Sequence, residues 1–147
     1  YEAAGATSSR AYASLLKSMG TAHSWQGRTT QALELYTEAK NAFEAAGAAS
    51  SPDYASLLQN MGTAHGNQGR ITQALELYTE AKSAFEAAGA TISPAYADLL
   101  QSMGVSHGNQ GRNTQAFELY TEAKSAFEAA GATSSRAYAS LLKSMGT

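Results

Sequence analysis

Apolar residues recur along this chain at intervals of three and four, in a pattern that repeats every 42 positions. Tyr12, Leu15, Leu16, Met19 and His23 form one stripe, with the spacing of a single α-helical face. Ala32, Leu35, Tyr36, Ala39 and Phe43 form a second. Gly27 lies between the two stripes and Gly47 follows the second, where glycine ends helices by adopting the left-handed conformation. The pairs Ser51-Pro52 and Ser93-Pro94 supply an N-cap hydroxyl and a proline at the first helical position. Gly20, Ala32 and Ala39 are small enough to let paired helices approach closely. The spacing predicts a helical hairpin, used repeatedly.

Tyr12, Tyr54, Tyr96 and Tyr138 each open the same phrase, tyrosine-alanine-serine or aspartate-leucine-leucine, running on to methionine-glycine. The blocks 12–53 and 54–95 differ at 9 of 42 positions, and 54–95 and 96–137 at 8 of 42, so the copies are close enough to align without gaps. Self-similarity at such a period marks a repeat array. Residues 1–11 read as the tail of a preceding repeat, and 138–147 as a truncated fourth. The whole of 1–147 is therefore expected to be a single array. Ile71, Ile92 and Val105 are the only β-branched aliphatics, too few to build a sheet.

The first block carries Leu16, Met19, Gly20 and His23, then Gly27, then Ala32, Tyr36 and Ala39. This spacing resembles the tetratricopeptide repeat. It recurs at Leu58, Met61, Gly62, Gly69, Ala74, Tyr78 and Ala81, and again at Leu100, Met103, Gly104, Gly111, Ala116, Tyr120 and Ala123. A period of 42 rather than 34 is similar to kinesin light chain-like arrays, in which the second helix is longer. The resemblance implies an all-α, right-handed superhelical solenoid of helix-turn-helix repeats. His23, His65 and His107 replace a frequent tyrosine, and Thr29, Ile71 and Asn113 stand where an aromatic is common.

Composition narrows the classes. The chain of 147 residues has a net charge of −2 and 44% hydrophobic residues, too apolar for a disordered tail and too balanced to favour nucleic acid or an acidic membrane. Its lack of cysteine removes disulfides and thiolate chemistry. No apolar run reaches the ~18–20 residues of a membrane span, and nothing resembles a signal peptide. The chain is accordingly read as cytoplasmic, and its start at Tyr1 rather than methionine as an excised or processed piece.

Candidate chemistry is thin. His23, His65 and His107 are repeat equivalents, set apart by a helix-packing step of ~8–10 Å, so they are expected to hydrogen-bond within their own hairpins rather than share a metal. The run from Gly62 to Arg70 lacks the lysine and hydroxyl of a phosphate loop. Glu34 and Glu38 recur as Glu76/Glu80 and Glu118/Glu122, a solvated helix face. Near-copies offer ladders of like groups, whereas catalysis needs different groups converging on one substrate. Neither catalysis nor a cofactor is expected.

The informative positions are those where the copies disagree. Lys17 aligns with Gln59, Gln101 and Lys143; Ser18 with Asn60, Ser102 and Ser144; Ser14 with Ser56, Asp98 and Ser140. Ser24-Trp25 becomes Gly66-Asn67 and then Gly108-Asn109. The resemblance implies that such positions line a concave surface holding a peptide. The expected set is Ser14, Lys17, Thr21, Trp25, Asn60, Thr63, Asn67, Asp98, Gln101 and Asn109, with Val105 and Thr147 as equivalents of Thr21. Lys17 and Asn60 match two positions of the family's clamp for C-terminal carboxylates, but Thr21, Asp98 and Ser102 do not, and Asp98 would repel a carboxylate. The expected function is a protein–protein interaction scaffold holding an extended or helical segment.

The alternative comes from the two ends. A repeat stack needs polar caps over its terminal apolar faces. Here Leu141, Leu142 and Met145 at one end and Tyr1 at the other predict head-to-tail association or helix exchange into a homo-oligomer.

Overall fold

The computed structural model describes residues 10–131 and 136–146. Within them the chain forms seven helices: α1 (Arg10–Trp25), α2 (Thr29–Ala45), α3 (Pro52–Asn67), α4 (Ile71–Ala87), α5 (Pro94–Asn109), α6 (Asn113–Ala129) and α7 (Arg136–Gly146). There is no strand among the described residues, as expected from the poor supply of β-branched side chains. Contacts divide the chain into two compact units, Tyr1–Ala84 and Phe85–Thr147.

The helix boundaries have local causes. Ser51 and Ser93 cap α3 and α5 by accepting from the backbone N–H of Tyr54 and Tyr96, with Pro52 and Pro94 at the start of the helix. Such a cap contributes ~1 kcal/mol. At the other end Gly27 has φ +77°, and the Arg28 N–H reaches back to the His23 carbonyl at 2.9 Å. This left-handed closure satisfies carbonyls that a plain helix end leaves orphaned.

In the first unit α1 lies on α2 through Gly20. A Cβ there would meet the Tyr36 ring at 2.6 Å, so only glycine lets the ring lie flat against the helix. Gly62 repeats this contact with Tyr78 on α4, where the distance would be 2.7 Å. The junction between hairpins is also built by side chains. The Tyr54 ring meets Phe43 edge-on at 5.9 Å, and its hydroxyl donates to Glu44 at 2.8 Å. Lys40 binds the same carboxylate at 2.9 Å. Burial, and then this bond to Glu44, push the Tyr54 phenol up to about 12. Phe43, Leu57 and Leu58 are fully buried, each side chain contributing ~1.5–3 kcal/mol.

The second unit uses the same devices. Phe85 meets Tyr96 at 5.8 Å and Phe127 meets Tyr138 at 5.9 Å. The two tyrosine hydroxyls donate to Glu86 and Glu128. Gly104 lies against Tyr120, and Leu99, Leu100 and Leu141 are fully buried. Leu141, one of the residues expected to mediate self-association, is part of this core. Its neighbour Leu142 is 40% exposed and Met145 is half-buried. Tyr1 and Thr147 lie outside the described residues.

Candidate functional site: a groove on the first hairpin

Ala13, Leu16 and Gly20 point α1 toward its own hairpin and are buried. The helical period therefore turns Ser14, Lys17, Ser18, Thr21 and Trp25 to another face. Together with Ala22 and with Asp53 from the first turn of α3, they line an open groove of about 470 Å³. Asp53 sits where the helix dipole favours an acidic side chain.

The groove mixes polar and apolar surface, with Trp25 among its lining residues. Trp25 is 84% exposed. Arg10 pairs with Asp53 at 3.4 Å, with both side chains half-exposed, a geometry worth well under ~1 kcal/mol. Burial lowers the Lys17 ammonium below its ordinary pKa, and the nearby Asp53 charge partly offsets that. Thr21 is tied into the wall. Its hydroxyl donates to the Lys17 carbonyl at 3.1 Å and shares a hydrogen bond with the Tyr36 hydroxyl, also at 3.1 Å.

Of the expected concave residues, Ser14, Lys17, Thr21 and Trp25 come together here. Asn60, Thr63 and Asn67 lie on α3 without lining the groove. The Thr63 hydroxyl bonds Tyr78 at 2.9 Å, repeating the Thr21 contact. Asp98, Gln101 and Asn109 lie on α5 in the second unit, where the Gln101 amide reaches Ser140 on α7 at 3.5 Å. Val105 stands at the threonine position of α5 and offers Tyr120 no hydroxyl. Sequence reasoning passed over Asp53 and Ala22. The signal for Asp53 was present, since alanine fills its equivalents at 11, 95 and 137.

The histidines stay within their own hairpins. Arg70 and Arg112 approach the Nδ1 atoms of His65 and His107 at 3.2 and 3.4 Å, and burial followed by these cations lowers both imidazole pKa values. His23 departs from the expected pattern, because its Nδ1 is buried with no hydrogen-bond partner. Among the described residues no three histidine, aspartate or glutamate side chains are grouped to hold a metal. No helix among them is long and apolar enough to cross a membrane.

Successive helical hairpins, each closed by a glycine-tyrosine contact and joined by a phenylalanine-tyrosine-glutamate junction, define an α-repeat protein of the solenoid class. The tetratricopeptide repeat family model matches residues 11–87, more than half of the chain, and the chain belongs to that family. The crystal structure of BtubC (BKLC) from P. vanneervenii, a kinesin light chain-like member, is similar with a TM-score of 0.65 at 15% identity. The match covers 91% of this chain and 61% of that one, so this chain spans less than two thirds of its length. No curated protein sequence matches. Protein–protein interaction is the work typical of the family.

Proposed function

We propose that the chain is a non-catalytic interaction module that holds a peptide segment against α1, in the groove lined by Ser14, Lys17, Thr21, Trp25 and Asp53. The observation that carries this reading is Trp25, 84% exposed and lining a groove of about 470 Å³. An exposed tryptophan beside a pocket suits a binding hot spot. The half-buried Lys17 and the Asp53 carboxylate give the walls one cation and one anion, so the groove favours a peptide carrying both polar groups and one apolar anchor. The contacts expected on α3, at Asn60 and Asn67, extend the same reading to longer segments within the first unit. Affinity of micromolar class is expected, about −8 kcal/mol.

A display screen of diverse peptides against the folded chain, with hits followed by Trp25 fluorescence, tests this. A recurring motif should lose at least tenfold in affinity on Trp25→Phe and on Lys17→Ala, read by calorimetry. A motif bound equally well by both variants would place the binding surface elsewhere.

A further inference from the structure

Three charged residues at the groove form a set along the repeats. Arg10 and Lys17 stand on α1 seven positions apart, and Asp53 stands in the first turn of α3. Residues at the spacing of Arg10 and Lys17 share one helix face. The same three positions of the next copies hold Pro52, Gln59 and Ala95, and then Pro94, Gln101 and Ala137. Two cations and an anion are thus present together once, and replaced together twice by uncharged residues. Independent drift of surface positions would not keep the three in step.

Their geometry accounts for the coupling. The Asp53 carboxylate lies 3.4 Å from the Arg10 guanidinium, and its charge also acts on the half-buried Lys17 ammonium. Among the described residues that line the groove, Asp53 is the only carboxylate and Lys17 the only cation. An exposed pair such as that of Arg10 and Asp53 contributes little to stability, so holding the fold together does not explain the set. We propose that Asp53 is a charge filter built into the groove, which admits a segment uncharged beside Lys17 and turns away an acidic one. The proposal rests on the groove being the peptide site. A ligand carboxylate approaching Lys17 would meet the like charge of Asp53, and like charges set side by side suppress the wrong partner. It would also find both cations partly neutralised by that carboxylate. A ligand cation would meet Lys17 and Arg10 instead. An uncharged polar side chain meets neither penalty and can bond the Ser14 and Ser18 hydroxyls of the wall.

Two blocked pentapeptides test this, serine-X-leucine-X-serine with X as glutamine or as glutamate, titrated by Trp25 fluorescence. The chains are the unaltered protein, Asp53→Asn, which keeps the side chain's shape, and Asp53→Ala, which installs the residue type found at 11, 95 and 137. Circular dichroism confirms that each is folded. The unaltered chain should bind the glutamine peptide more tightly, and both variants should shift the affinity ratio about tenfold toward the glutamate peptide. Raising salt from about 0.05 M to about 0.5 M should shrink that shift, because the filter acts through charge. Adding Lys17→Gln to Asp53→Asn should remove it. If the glutamine peptide binds but the ratio is the same in all three chains, the filter is wrong and the peptide groove stands. A shift that ignores salt, or that survives Lys17→Gln, would also overturn the filter. If neither peptide binds any of the chains, the groove is not the peptide site and both readings fall.

Discussion

The first and third hairpins share nearly the same core and differ in how it is fastened. In the first, Thr21 ties the Tyr36 hydroxyl to the wall of α1 at 3.1 Å, and Tyr36 is buried. In the third, Val105 takes the threonine's place, and Tyr120 is only partly buried. Burial raises both phenols, but only that of Tyr36 is pulled back by a threonine bond. Of these two, the fastened hairpin carries the groove, although the second hairpin is fastened as well, by Thr63 to Tyr78. A threonine that holds a core tyrosine thus also fixes the groove wall beside Lys17, and an exposed valine cannot do either.

The largest expected effect comes from overfilling the glycine-tyrosine contact. An added Cβ would meet the ring at 2.6 Å in both hairpins, and such overpacking typically costs ~1–3 kcal/mol against the ~1 kcal/mol that alanine gains in a helix. Gly20→Ala should destabilise the first hairpin by about 2 kcal/mol, since Tyr36 is held in place and cannot turn aside. Gly104→Ala should cost less than about 1 kcal/mol, because Tyr120 is free to shift. Urea unfolding followed by circular dichroism checks the order; equal losses would remove the distinction between the hairpins.

A smaller effect should follow from exchanging the fastening itself. Thr21→Val should cost about 1 kcal/mol, and Val105→Thr should gain about 0.5–1 kcal/mol by giving Tyr120 a partner. Thermal melts of the two variants and of the pair would show whether the hydroxyl is the whole difference.

The smallest concerns pH. His107 has its pKa lowered by burial and then by Arg112, so the unfolded chain takes up its proton first. Its destabilising effect is absent above the unfolded pKa near ~6.5. It grows as pH falls through that value and levels off below the lowered folded pKa. Melting temperature should therefore decline slightly from pH 7.5 to pH 5.5, and His107→Gln should flatten part of the slope. An unchanged slope would mean that neither burial nor the Arg112 contact depresses the imidazole in solution.

Much of this molecule was legible in the residues alone. The 42-residue period and the tetratricopeptide resemblance imply the all-α hairpins, and the serine-proline entries and glycine stops mark their boundaries, because those signals act within one or two helical turns. Tertiary structure decided what depends on neighbours. Leu15 and Leu141 sit at the same place in the same eleven-residue sequence, yet one is exposed and the other is core, since burial belongs to whatever helix lies across from a side chain. Asp53 joined Lys17 and Trp25 in one groove because α3 returns beside α1, a proximity that no local pattern encodes. Thr21 and Thr63, alike on the helix surface, proved to be tyrosine partners because their hydroxyls lie within bonding distance of the next helix. Local sequence sets where helices start and stop; the packing of one helix on another sets which of their side chains remain free to act.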